Sequence, residues 1–268
     1  MFYIIGCARS GTTAIAKILG RCENVEVGIE LLPNLCIESR NLYQNNLKIN
    51  PKTVLTEARN NQIQQVNNKG KIFADKNVNY LPFIPHMSKL WNPKYLFVIR
   101  DGKDVVRSLM DWHSLSRGNI FGRKEDDITS KVVKPEQDWW DYSRIRPLVG
   151  ETYYDEWPNL SRFEKCSWYW NKYNLELLKQ MDSIPDEKKM TIKLSSSNVD
   201  EILEVMNFLD LKPLKIEEIN FLLKKRINSS RDRFNIEENF PRKLNWSNDL
   251  NIKFEKFAGK LYEELGFN

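Results

Sequence analysis

Histidine and cysteine are scarce in this chain, with two and four copies among 268 residues. The cysteines (Cys7, Cys22, Cys36 and Cys166) show no C-x-x-C spacing, which argues against a zinc site or a disulfide frame. Free thiols in a reducing compartment are the expectation, hence a cytoplasmic location and no bound metal. No apolar run is long enough to span a bilayer, and the N-terminus enters a strand pattern at once instead of a signal peptide. A strong excess of either charge is missing as well. Lys and Arg number 41 against 36 Asp and Glu, a net +5 without a basic stripe. That balance suits an anionic small-molecule ligand and speaks against nucleic acid. Internal repeats, low-complexity segments and clean linkers are also absent, so one α/β domain over residues 1–268 is expected, with ample length for a core.

What is present begins at the first residue. Phe2 to Ile5 is a short apolar run, the pattern of a buried parallel strand. Gly6 to Thr13 is a turn of small residues, and Ile15, Ile18 and Leu19 follow at the spacing of a helix with one buried face. Strand, glycine-containing loop and helix form a phosphate cradle, because loop amides and the helix N-terminus turn their positive ends toward an anion. Gly6 and Gly11 have the separation of the P-loop glycines, but Thr12 stands where the P-loop lysine belongs, and the basic group is Arg9 instead. A tight strand-to-helix turn with no ligand would share the glycines. The run Arg9-Ser10-Gly11-Thr12-Thr13, with one cation and three hydroxyls, favours phosphate binding.

Further along, Val25 to Ile29 reads as a strand that delivers Glu30 to its carboxyl end, where open α/β sheets bind ligands. A helix-start charge is the alternative for Glu30. Residues 51–68 read as a polar surface helix, and Lys71 to Ala74 as a strand followed by the polar Asp75-Lys76-Asn77. Tyr80 to Leu90 is expected to be helical past Pro82 and Pro85. Tyr95 to Ile99 is a central strand ending at Arg100, with a helix opening at Asp104 and Ser108 two turns along. Residues 114–163 lose periodicity and carry Trp139, Trp140, Tyr142, Tyr153, Tyr154 and Trp157. This stretch fits a lid or acceptor-binding insertion, or an ordinary surface subdomain. Glu164 to Met181 returns to helix, its aromatics at core spacing. Met190 to Leu194 is a strand, Val199 to Leu209 a helix, Lys224 to Trp246 a polar loop, and Leu250 to Leu265 a final amphipathic helix.

Two stretches together resemble the sulfotransferases that use 3′-phosphoadenosine 5′-phosphosulfate (PAPS). Arg9-Ser-Gly-Thr-Thr13 after a first strand is similar to that family's 5′-phosphosulfate loop. Tyr95-Leu-Phe-Val-Ile-Arg-Asp-Gly-Lys-Asp-Val-Val-Arg-Ser108 is similar to its 3′-phosphate motif, an Arg at a strand end with a Ser eight residues on. Ala74-Asp-Lys-Asn77, Trp91-Asn-Pro93, Val205 to Leu211 and Ala258 to Phe267 add to the likeness, which is nearest in flavour to the tyrosylprotein and bacterial carbohydrate or small-molecule branches. The resemblance implies a P-loop-NTPase-like fold with a mostly parallel sheet flanked by helices, and a metal-free transfer of a sulfuryl group. The acceptor would be a hydroxyl or amine of a carbohydrate, small molecule or peptide, with adenosine 3′,5′-bisphosphate as product. It also implies that Arg9, Ser10, Gly11, Thr12 and Thr13 hold the 5′-phosphosulfate, and Arg100 and Ser108 the 3′-phosphate. Arg231 or Lys243 would add a late-loop cation. In the cytosolic aryl branch a histidine follows the strand-end lysine two positions on. Here the lysine matches Lys76, but Val78 holds the histidine's place. Branches without that histidine use a glutamate after the second strand, which makes Glu30 the expected base beside Lys76, with His86 the weaker alternative and His113 structural. A P-loop phosphotransferase, or a non-catalytic nucleotide-binding protein, is the competing reading.

Overall fold

The computed structural model describes residues 1–31, 35–44, 50–111, 113–114, 118–121, 144–194, 198–224 and 240–267. The unbroken apolar run at the N-terminus forms β1 (Phe2–Ile5), in which every residue is buried. A strand without polar alternation needs cover on both faces, so it belongs at the middle of a sheet. There it lies, in an all-parallel sheet of order β2-β3-β1-β4-β7. Its partners are β2 (Val25–Ile29), β3 (Ile72–Lys76), β4 (Lys94–Ile99) and β7 (Lys189–Lys193). A separate short antiparallel pair joins β5 (His113–Ser114) to β6 (Gly118–Asn119).

Alternation along the strands sorts the apolar residues into two cores. On one face Tyr3, Ile5, Phe73, Tyr95, Phe97 and Ile99 pack beneath five helices: α3 (Pro51–Asn68), α4 (Ile84–Trp91), α5 (Gly102–Met110), α6 (Arg162–Met181) and α9 (Asn248–Glu264). On the other face Phe2, Ile4, Leu96, Val98 and Ile192 meet α1 (Thr12–Leu19), α7 (Val199–Phe208) and α8 (Ile216–Lys224). Among the described residues the remaining α-helix, α2 (Leu35–Tyr43), packs on the 3-10 turn that follows β3. The chain leaves β1 toward β2 on one side, then crosses back to place β4 on the other. That reversal opens a crevice at the carboxyl ends of β1 and β4, the place where such sheets bind ligands.

Helix starts follow local chemistry. Ser161 and Glu164 close a capping box on α6, with Glu164 Oε2 accepting from the Ser161 amide at 2.8 Å. Asn50 caps α3 by accepting from the Lys52 amide at 3.0 Å, with Pro51 at the first position.

Several boundaries differ from the sequence pattern. β3 runs two residues past Ala74, so Asp75 and Lys76 lie inside the strand. The helix after β4 starts at Gly102, because the Asp101 side chain caps it by accepting from the Asp104 amide at 3.2 Å. The stretch 80–90 divides into a 3-10 turn (Val78–Phe83), which holds Pro82, and α4, which has Pro85 in its first turn. The late strand begins at Lys189. Of the expected insertion at 114–163, residues 115–117 and 122–143 lie outside the described residues, as does Arg231. Among the described residues no helix is long and apolar enough to cross a membrane.

Candidate active site

Three strand ends converge on the crevice, and the first is the loop after β1. A Cβ at Gly6 would lie 2.4 Å from the Val98 carbonyl oxygen, so only glycine lets the loop lie against β4. The Ser10 amide closes a turn by donating to the Cys7 carbonyl at 3.1 Å. Arg9 (φ 70°) and Gly11 (φ 94°) both take the left-handed conformation. For arginine that costs about 1–2 kcal/mol. Strain of this kind points to a functional constraint on Arg9. Gly11 is the N-cap of α1 and has no side chain to satisfy the helix amides, and no acid occupies the first turn. A helix start without a side-chain cap or an acid is able to accept an external anion. Ser10 is fully buried, with its hydroxyl beside the Cys7 thiol, and Thr12 is buried next to it. Burial pushes the Cys7 thiol up to about 12.

The second end is that of β4, which pairs in register with β1 through Ile5 and Phe97. Arg100 Nη1 donates to the Arg9 carbonyl at 3.2 Å, and Arg100 Nη2 lies 4.0 Å from Asp104 Oδ2. Arg9 Nε in turn donates to Ser108 Oγ on α5 at 2.9 Å. The two stretches expected to hold phosphates are thus linked to each other. Lys243 lies beside this end. Its Nζ lies 2.6 Å from Asp101 Oδ2, which also accepts from Tyr262 Oη at 3.0 Å, so Lys243 anchors the residue next to Arg100.

The third end pairs β2 with β3. Ile29 is in register with Lys76, and the Glu30 amide donates to the Lys76 carbonyl at 2.8 Å. Lys76 Nζ donates to Glu30 Oε1 at 2.5 Å, with the lysine buried and the glutamate side chain 21% exposed. Burial pushes the Lys76 ammonium below its ordinary range, and Glu30 opposes the shift. Behind the pair, Asp75 turns to the other face. There it binds Arg59 and accepts from Tyr80 Oη at 2.5 Å, while its Oδ1 accepts from the Lys76 amide at 2.9 Å. Asp75, Arg59 and Tyr80 are all fully buried. Burial raises the Asp75 carboxyl, with the Arg59 charge pulling the other way.

Sequence reasoning missed two further contributions. Arg144 is buried, and its positive charge disfavours the Lys76 ammonium and favours ionisation of Cys7 and Tyr169. No sequence signal distinguishes it from the other cations of that stretch. The second is α6, whose inner face carries side chains that bond to all three strand ends. Tyr169 Oη accepts from the Ala8 amide at 3.1 Å, Trp170 Nε1 donates to the Arg100 carbonyl at 3.1 Å, and Tyr173 Oη donates to the Val78 carbonyl at 2.9 Å. His86 lies on α4. Its imidazole is pushed below the ordinary range by burial and by Lys89. Among the described residues no group of three His, Cys, Asp or Glu side chains could hold a metal ion.

No protein-family model matches the chain, and no curated protein matches it in sequence. Solved structures do. The sulfotransferase domain from the curacin biosynthetic pathway aligns with a TM-score of 0.52 at 13% identity, covering 97% of this chain and 96% of that one. The sulfotransferase domain from the Synechococcus olefin synthase aligns with a TM-score of 0.52 at 10% identity, covering 97% and 94%. With a central parallel sheet flanked by helices and aligned along nearly its whole length, the chain has the sulfotransferase fold.

Proposed function

We propose that the protein is a PAPS-dependent sulfotransferase acting on a hydroxyl or amine. One observation carries the reading. The loop expected to hold the 5′-phosphosulfate and the arginine and serine expected to hold the 3′-phosphate are joined through Arg100–Arg9–Ser108 at neighbouring strand ends. The donor set fits a ligand with two anionic groups. The uncapped start of α1, the left-handed Arg9 and Gly11, and the hydroxyls of Thr12 and Thr13 suit one anion, with Ser10 packed beneath the loop against Cys7, and Arg100 with Ser108 suits the other. Arg231 lies outside the described residues, and Lys243 contributes by holding Asp101.

PAPS supplies the sulfuryl group. The chain supplies alignment, a base and positive charge, which is what such a transfer needs. Glu30 takes the acceptor's proton. Lys76, 2.5 Å from Glu30 Oε1, brings its positive charge to the oxygen on which negative charge gathers, and Arg9 does the same from the loop. Lys76 and Glu30 orient each other, so neither is free to rotate out of the crevice. The fold supports the reading without specifying the acceptor.

The competing phosphotransferase needs a lysine at the position of Thr12, which is buried and uncharged. Calorimetric titration with adenosine 3′,5′-bisphosphate beside adenosine 5′-monophosphate tests the choice. Micromolar binding that depends on the 3′-phosphate is expected. Equal binding of the two nucleotides would refute the two-anion site.

A further inference from the structure

The aromatic residues of α6 sit at core spacing, and packing alone would be served by phenylalanine. Tyr169 and Trp170 are 1% and 0% exposed, yet each spends its one polar group on the backbone of a ligand-facing strand end. Loops leaving a parallel sheet carry amides and carbonyls that no ladder pairs, and a buried one must find a partner or destabilise the fold. Tyr169 Oη is the partner of the Ala8 amide, immediately before the left-handed Arg9. Trp170 Nε1 is the partner of the Arg100 carbonyl, and its indole lies so close to Gly102 that a Cβ there would stand 2.8 Å from the ring. Asn174, one turn further on, donates to the Trp170 carbonyl at 2.7 Å and approaches the Cys7 sulfur at 4.0 Å. Two consecutive residues of one capped helix therefore hold the two anion-binding strand ends, and a helix fixes the distance between its own neighbours.

We infer that Tyr169 and Trp170 are positioning residues that set the span between the two anion sites, Tyr169 through Ala8 and Trp170 through Arg100. The inference rests on the two-phosphate reading of the crevice. A ligand with both phosphates matches that span, whereas a ligand with one phosphate feels only its own half. Tyr173, on the same face and 2% exposed, has its ring beside that of Tyr169, but its hydroxyl bonds to the Val78 carbonyl beyond β3 and to neither anion-binding loop. It serves as the control for a lost core hydroxyl.

The test is calorimetric titration of wild type, Y169F, W170F and Y173F with adenosine 3′-monophosphate, adenosine 5′-monophosphate and adenosine 3′,5′-bisphosphate, with melting temperatures recorded alongside. Y169F leaves the ring in place and orphans the Ala8 amide. It should lose about tenfold in affinity for ligands carrying the 5′-phosphate and keep that for the 3′-monophosphate. W170F should show the opposite selectivity, and Y173F should leave the ratio between ligands unchanged. Should W170F not fold, the Y169F comparison with Y173F decides alone. Equal losses for all three ligands, or no loss in Y169F, would overturn the inference. A wild type indifferent to the 5′-phosphate would instead overturn the two-phosphate reading itself, and the inference with it.

Discussion

Arg9 Nε donates to Ser108 Oγ across 2.9 Å, joining the loop after β1 to the second half of α5. The residue expected to serve one phosphate thus holds the hydroxyl expected to serve the other. Replacing Arg9 and Ser108 by alanine, singly and together, should show a coupling of about 0.5–3 kcal/mol in adenosine 3′,5′-bisphosphate binding. Strictly additive losses would mean that the contact has no part in the site.

Arg100 has a different standing, because it meets the Arg9 carbonyl and lies near Asp104 at the mouth of the crevice. Arg100→Ala should weaken adenosine 3′,5′-bisphosphate binding by roughly 2–5 kcal/mol, the scale for truncating one member of a desolvated charge pair. The loss should vanish when the ligand lacks the 3′-phosphate, which titration with adenosine 5′-monophosphate checks.

Glu30→Gln keeps the shape and removes the proton acceptor. Turnover should fall by about 10²–10⁴-fold while bisphosphate affinity stays near that of wild type. If affinity fell together with turnover, Glu30 would be an anchor for Lys76 and not a base.

The Asp75–Arg59 pair lies behind β3, and both side chains are completely buried. Arg59→Met strands the carboxylate and should cost about 3–5 kcal/mol in urea unfolding, whereas Arg59→Met with Asp75→Leu should regain most of it. A single variant as stable as wild type would show that water reaches the pair.

Stability should also fall at alkaline pH. Burial pushes Cys7 up to about 12, Cys22 and Cys36 to about 11, and Tyr95 and Tyr169 to about 12. Each native pKa lies above its unfolded value, so each group's contribution is complete below about pH 9 and is lost as pH climbs through the native values. Lys76 works against the trend. Its native pKa is lowered by burial, so over the window between that value and 10.5 stability gains from rising pH. One such group does not offset five. The urea midpoint, measured under reducing conditions, should drop steadily from pH 9 to 11. A flat or rising midpoint would show that the thiols are not protected in solution.

Much of this was legible in the chain. A buried strand, a small-residue loop and an amphipathic helix occupy the first 19 residues in that order, and Arg100 and Ser108 stand where the second motif puts them. Lys76 was harder to place on a strand. A lysine and an aspartate look like the end of one, yet β3 keeps both because Glu30 and Arg59 neutralise them on opposite faces. The tie from Lys243 to Asp101, and the reach of Tyr169 to Ala8, join residues 142 and 161 positions apart. Local periodicity registers such side chains only as loop or core, since it carries no information about which distant backbone group their polar atoms meet.

The strand order has a consequence for synthesis. Among the five strands of this sheet β1 comes first in the chain and also lies in the middle, so it is made, wholly apolar, before either of its neighbours. β2 appears next but touches β3 and not β1, so no ladder can close until residue 72 and beyond have emerged. β4 and finally β7 follow in the chain and pair on the far side. The loop that follows β1 is therefore synthesised well before either strand that pairs with β1.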